Sequence, residues 1–273
     1  DFRHDANILL VEDNEINQDV GRQLLEAVGL KVEVASNGQE ALQKAEQQIF
    51  DLVLMDMQMP VMDGLEATRH IRDFPTYSHT PIIAMTANAF IEDKQRCLDV
   101  GMNDFLSKPV DPNSLYAMLG QWLPSNRPFS KTKSTEAENS LQVHPQVLNS
   151  EKGLGNLGGA MDSYLRLLTQ FIDLHANDPA KIQDALHAGD RKTAHRIAHT
   201  LKGVSATLGI EQVYEQAFKL DRVFKNGADN DALQPEVASL HDSLRLALPT
   251  LRAFIAQSAT ADPVCNIDAD ALP

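Results

Sequence analysis

From Ile8 to Leu123 short apolar runs alternate with amphipathic stretches. The runs are Ile8-Leu9-Leu10-Val11, Val32-Glu33-Val34, Leu52-Val53-Leu54-Met55, Ile82-Ile83-Ala84-Met85 and the brief Phe105-Leu106. Four are apolar throughout or nearly so, as expected of strands buried on both faces of a parallel sheet. Between them the spacing becomes helical, as in Glu15–Val28 and Gly38–Gln48. Five such βα repeats predict an α/β domain over residues 1–123, flavodoxin-like and doubly wound around a five-stranded parallel sheet.

Residues 124–143 break that rhythm with Pro, Ser, Thr and charged residues in no periodic order, which predicts a flexible linker. A linker of that length has an r.m.s. span of roughly 25 Å. Beyond it the strand signals vanish. Apolar residues recur at helical spacing: Tyr164, Leu165, Leu168, Phe171; then Ala194, Ile197, Ala198, Leu201, Val204, Leu208; then Val213, Ala217, Leu220; then Leu240, Leu244, Leu248, Leu251. Asn177-Asp178-Pro179, Ala188-Gly189-Asp190 and Asn226-Gly227 separate the helices. An all-α bundle with short loops is predicted over 144–257, with a disordered tail at 258–273.

A chain of 273 residues suits two domains, and 43% hydrophobic residues suffice for two cores. No apolar run approaches the ~20 residues of a membrane span, and no signal-peptide pattern opens the chain. It begins Asp1-Phe2-Arg3 with no initiator Met and is expected to be part of something longer. Cys97 and Cys265 alone build neither a disulfide framework nor a zinc site, which favours a reducing, cytosolic setting. The net charge of −14 argues against nucleic acid as a partner. Most of it lies in residues 1–123, with 20 acidic against 9 basic side chains, which fits a cation site in that half.

In an open parallel sheet functional groups gather at the carboxyl ends of the strands. The polar residues ending the apolar runs are Glu12-Asp13, Asp56, Thr86 and Lys108-Pro109. Crowded carboxylates repel one another unless a hard cation such as Mg²⁺ or Mn²⁺ joins them through oxygen. A lysine and a hydroxyl opposite suit a phosphoryl group, whose oxygens need charge stabilisation during in-line transfer.

These segments, Val11-Glu12-Asp13-Asn14, Asp56-Met57-Gln58-Met59-Pro60 with Asp63-Gly64, Thr86-Ala87 and Lys108-Pro109, resemble the receiver domains of two-component signalling over residues 8–123. The resemblance implies that Asp56 accepts phosphate. It implies Glu12, Asp13, Asp56 and the Gln58 backbone carbonyl as metal ligands, with Thr86 and Lys108 on the phosphoryl group. Phe105 takes the switch-aromatic position, and the Lys108-Pro109 bond is expected to be cis. Pro60 and Gly64 would shape the loop after Asp56, while Gln58 and Asn88 would tune phosphoryl lifetime.

His195 and His199 stand four apart on a predicted helix, in Ala194-His195-Arg196-Ile197-Ala198-His199-Thr200-Leu201-Lys202-Gly203. A zinc-protease reading fails because Arg196 stands where the catalytic Glu would be and no third ligand is evident. Lys202 and Gly203 share a helical face with His199. Glycine inside a helix costs about 1 kcal/mol against alanine. Its use is explained if another domain must approach the imidazole and a side chain would obstruct it. The segment resembles the phosphoacceptor helix of histidine phosphotransfer (HPt) domains, which implies a four-helix bundle plus a short leading helix, with His199 as acceptor, Lys202 offsetting charge, and His195 in a surface or packing role.

A receiver followed by an HPt domain is the carboxy-terminal arrangement of hybrid (unorthodox) sensor histidine kinases in bacteria. The implied relay runs from a kinase phosphohistidine to Asp56, then to His199, then to the receiver of a separate response regulator. No ATP-binding catalytic core is present in these residues, so the partners are an upstream kinase core, in the same parent or its dimer mate, and that regulator. A cytoplasmic location without direct membrane contact is expected, with the parent anchored in the inner membrane. Two other readings compete. In one, phosphorylated Asp56 controls docking and His199 is secondary. In the other, Asp56 is a hydrolase nucleophile, which the lack of an Asp-x-Asp pattern disfavours.

Overall fold

The computed structural model describes residues 3–86, 91–123 and 147–259, and the side chains of 91–94 and 259 are excepted. The expected linker at 124–143, most of the expected tail and Asn88 lie outside the described residues. The last helix takes in residues 258 and 259, because Ala256-Gln257-Ser258-Ala259 offers the backbone nothing to stop it.

Five strands alternate with helices: β1 (Asn7–Val11), α1 (Glu15–Glu26), β2 (Lys31–Ala35), α2 (Gly38–Gln47), β3 (Leu52–Asp56), α3 (Gly64–Arg72), β4 (Ile82–Thr86), α4 (Ile91–Asp99), β5 (Asp104–Ser107) and α5 (Pro112–Trp122). The sheet is parallel throughout, in the order β2-β1-β3-β4-β5. The three central strands are buried on both faces, and their residues divide with the pleat. Ile8, Leu10, Leu52, Leu54, Ile83 and Met85 enter one apolar cluster, while Leu9, Val11, Val53, Met55, Ile82 and Ala84 enter the other. β2 and β5 are edge strands, which explains why Glu33 sits in the one and Asp104 and Ser107 in the other.

Side-chain caps fix where the helices begin and so hold the strand ends in place. The Asn14 side chain accepts from the backbone N–H of Ile16 at 3.0 Å and of Asn17 at 3.1 Å, starting α1 directly after Glu12-Asp13. Asp63 caps α3 through the N–H of Glu66 at 2.9 Å. A side chain on Gly64 would overlap the carbonyl oxygen of Asp56, so this loop can close beneath the strand only with glycine. The Lys108-Pro109 bond is cis.

The second half is helical: α6 (Ser150–Asn156), α7 (Met161–His175), α8 (Asp178–His187), α9 (Arg191–Leu208), α10 (Glu211–Lys225) and α11 (Asn230–Ala259). Asp190 caps α9 through the N–H of Thr193 at 3.0 Å. Gly209, left-handed with φ 71°, ends it. Tyr164, Leu168, Phe171, Leu201, Val204, Leu208, Val213, Leu220, Leu240 and Leu251 are buried in the bundle core. That core is continuous with the receiver cluster on the α1 side of the sheet. Among the described residues no helix is long and apolar enough to cross a membrane.

Candidate functional site

Four parallel strands, β1, β3, β4 and β5, end at one edge of the sheet, and the polar residues at their ends meet there. Glu12, Asp13 and Asp56 offer carboxylate oxygens that all lie within 4.8 Å of one another. Lys108 Nζ bridges Glu12 Oε2 at 2.5 Å and Asp56 Oδ2 at 2.8 Å. Thr86, buried at the end of β4, pairs in register with Ser107, and its carbonyl accepts from the N–H of Lys108 at 2.8 Å. The N–H of Gln58 donates to Asp56 Oδ1 at 3.2 Å. Phe105 is half-buried on β5 and packs against the cluster on the α2–α3 side of the sheet.

Three carboxylates against one ammonium leave the edge short of positive charge. Burial first, then Glu12 and Asp13, push the Asp56 carboxyl up to about 7, against the pull of Lys108. Burial also raises Asp13 to about 6, with Glu12 adding to it and Lys108 and Arg196 opposing. For Lys108 burial works against the charge, but Asp56 and Glu12 outweigh it and hold the ammonium above its ordinary range. A hard divalent cation fits such a set, because carboxylate oxygens are its preferred donors and its charge would relieve the repulsion. Glu12, Asp13 and Asp56 can therefore hold a metal ion.

The histidine lies on α9. Lys202 is buried, and a carboxylate inside the bundle compensates its charge. That carboxylate is Asp221 on α10, 3% exposed. Asp221 Oδ1 accepts from His199 Nδ1 and from His195 Nε2, each at 3.0 Å. Its Oδ2 accepts from Lys202 Nζ at 2.7 Å and pairs with Lys225 Nζ at 3.1 Å. Burial opposes the Asp221 charge, but both imidazoles and Lys202 outweigh it and hold the carboxyl well below its ordinary range. An ionised carboxylate only accepts, so both ring nitrogens facing it carry hydrogen. His199 is thereby held in the tautomer that leaves its Nε2 lone pair free. Burial lowers the His199 pKa, and the opposing pull of Asp221 is set against Lys202 and Lys225. His195 stacks on Phe224 at 5.1 Å between ring centroids, so it both packs and shares the carboxylate.

Sequence reasoning missed Asp221, although a signal existed. Val213, Ala217 and Asp221 are spaced four apart, so the acid falls within the apolar stripe that faces the core.

Gly203 faces the receiver as the close-approach reasoning required, but with more room than it implied. A Cβ there would stand 3.8 Å from Asn17 Nδ2, an ordinary contact, so only a larger side chain would collide. The helix carrying His199 thus sits against α1, near the strand ends. The Asp13 carboxyl senses Arg196, and the Lys202 ammonium, lowered mainly by burial, also senses Lys108.

Residues 8–120 match the Response regulator receiver domain family, and residues 166–258 match the Hpt domain family. Signal transduction histidine-protein kinase BarA of Escherichia coli K12 is 29% identical over 238 residues, 87% of this chain and 26% of BarA. Sensor histidine kinase GacS of Pseudomonas protegens is 33% identical over 211 residues, 76% of this chain and 23% of GacS. The chain thus spans about a quarter of the length of these relatives. A receiver domain of a sensor histidine kinase of Pseudomonas aeruginosa, solved with magnesium coordinated in its active-site cleft, is 44% identical. That match covers 44% of this chain and 99% of that one, with a TM-score of 0.42.

Proposed function

The chain joins a response regulator receiver domain to an Hpt domain, and from that pairing we propose that it is the relay segment of a hybrid sensor kinase, moving phosphate through Asp56 and His199. The observation that carries this reading is a histidine held with Nε2 free by a buried carboxylate, in the same chain as a carboxylate–lysine edge suited to a phosphoryl group.

In the first step a carboxylate oxygen of Asp56 attacks phosphorus on a kinase phosphohistidine. The P–N bond breaks as the acyl phosphate P–O bond forms. Lys108, already within hydrogen-bond reach of Asp56 Oδ2, supports the incoming oxygens, and the Thr86 hydroxyl donates to one of them. Magnesium, or manganese in its place, would be held by Glu12, Asp13, Asp56 and the Gln58 carbonyl and would supply charge neutralisation at the phosphoryl oxygens. In the second step the Nε2 lone pair of His199 attacks the acyl phosphate. The P–O bond to Asp56 breaks and the carboxylate is restored. Asp221, accepting from Nδ1–H, balances the positive charge that develops on the ring. The last step returns the phosphoryl group to an aspartate on a separate regulator. Both bonded forms are high-energy, so each step is reversible without ATP.

The partners on this reading are an upstream kinase core and a downstream receiver, and the parent is anchored in the inner membrane with these domains in the cytoplasm. Phosphotransfer tests it. With Mg²⁺ and a phosphorylated kinase, Asp56→Asn should abolish labelling of both residues, while His199→Gln should keep Asp56 labelled and stop delivery to the regulator. Normal delivery by the His199→Gln chain would overturn the relay and favour the reading in which Asp56 alone controls output.

A further inference from the structure

Arg191, His195 and His199 are spaced four apart on α9, so they form one line along that helix, and α10 answers them with Asp221, Phe224 and Lys225. The Arg191 guanidinium lies 5.4 Å from the centre of the Phe224 ring. His195 stacks on the same ring with only 21° between the planes. That stack fixes the plane of the His195 imidazole and with it the aim of Nε2. With 29% of its side chain exposed, His195 could give this N–H to water, so burial alone does not force it onto Asp221. Yet it donates to Asp221 Oδ1 at 3.0 Å, the oxygen that also takes His199 Nδ1 at 3.0 Å. The lysines use the other oxygen: Lys202 and Lys225 both pair with Oδ2.

We propose that His195 is a positioning residue for phosphotransfer at His199: by holding the same oxygen of Asp221, it limits how strongly that carboxylate stabilises the phosphorylated ring and so keeps the phosphoryl group transferable. The inference rests on His199 as the phosphoacceptor and adds what sets the lability of its P–N bond. Two donors on one carboxylate oxygen draw on the same lone-pair density, so each bond is weaker than it would be alone. When the Nε2–P bond forms and the P–O bond to Asp56 breaks, the ring gains positive charge while Nδ1 keeps its proton. The Nδ1–H bond to Oδ1 then strengthens, and it strengthens most where Oδ1 is otherwise unengaged. An Asp221 given wholly to His199 would retain phosphate on the ring. An Asp221 shared with His195 retains it less, which moves the balance toward the aspartates on either side of the relay. Packing against Phe224 asks only for a flat ring at position 195, and the N–H on Oδ1 is what exceeds that need.

The test separates the ring from its donor on the full chain. His195→Phe keeps a ring to stack on Phe224 and loses the N–H, and His195→Leu loses both. His195→Gln loses the ring but places an amide N–H at the reach of Nε2. Each chain is loaded with Mg²⁺ and acetyl phosphate, the donor is removed, and alkali-stable phosphate on His199 is compared with alkali-labile phosphate on Asp56. The ratio should rise about two- to tenfold in His195→Phe and in His195→Leu, and it should stay near the native value in His195→Gln. Without phosphate, the His199 Nδ1–H proton should resonate further downfield in His195→Phe than in the native chain, as a stronger hydrogen bond requires. Ratios in His195→Phe and His195→Leu equal to the native one would reduce His195 to packing and overturn the proposal. Lower ratios would mean that His195 anchors Asp221 for His199 rather than competing with it, and a His195→Gln chain that behaves as His195→Phe would also sink the donor argument. Absence of His199 labelling in the native chain would remove the relay reading, whereas an unchanged Nδ1–H resonance would overturn the sharing of Asp221 by itself.

Discussion

Asp221→Asn is the substitution that asks most of the structure. The carboxylate is 3% exposed and serves two imidazoles and two lysines. Asparagine keeps the shape and one acceptor oxygen but removes the charge, leaving buried Lys202 without its partner. Removing one member of a buried ion pair costs about 3–5 kcal/mol. The lower end applies here, since Lys225 is a third exposed and can turn to water. At about 4 °C per kcal/mol for a domain of this size, the Hpt unfolding transition should fall by ~12 °C. Transfer should suffer separately. A hydrogen bond to a charged acceptor is worth about 1.5–3 kcal/mol and one to a neutral acceptor about 0.5–1.5 kcal/mol, so the exchange should cut acceptance at His199 by roughly 10-fold. Adding Lys202→Met removes the stranded charge and should restore much of the stability without restoring the rate. Calorimetry on the full chain reads the first effect and single-turnover labelling of His199 the second. Nitrogen shifts of the ring should report a change of tautomer. A transition lowered by less than about 4 °C together with an unchanged labelling rate would refute the role assigned to Asp221.

Stability of the Hpt half should fall with acidification in two stages. The His199 pKa is lowered in the fold, so the unfolded chain binds the proton first as pH drops below about 6.5, and stability falls from there. The Asp221 pKa is also depressed, so its contribution is present above the ordinary carboxylate value of about 4 and is lost as pH falls below it. Denaturant titrations across this range should show the decline, and stability that is flat or rising toward acid would contradict it. Gly203→Ala should transfer phosphate at close to the native rate and Gly203→Leu should slow it without unfolding the bundle, since a Cβ fits beside Asn17 but a branched side chain does not. Equal rates for both variants would show that the approach at Gly203 is not close. Val61 holds a left-handed backbone at φ 69° while 81% exposed, so Val61→Gly should stabilise the receiver half by about 1 kcal/mol. A destabilised variant would mean that the Val61 side chain makes contacts outweighing its strain.

Much of this protein can be read along the chain. Apolar runs of four separated by helical stretches dictate a parallel sheet, because residues such as Leu9 and Leu10 must be buried on opposite faces. Once that sheet exists, its strand ends are fixed, and the residue types standing there specify a cluster: Glu12, Asp13 and Asp56 beside Lys108. The histidine could be read only as far as its own helix, since Lys202 and Gly203 lie one turn away from it. What Lys202 does was decided by α10, whose Asp221 is 22 residues from His199 along the chain and 3.0 Å from it in space. An ammonium near a helix surface turns inward only when a buried carboxylate compensates its desolvation, and sequence spacing within α9 carries no information about that partner. The seating of α9 on α1 has the same character. Asp19 and Arg166 are each unremarkable as sequence, and their meaning as a pair arises only where α7 of the bundle packs beside α1 of the receiver.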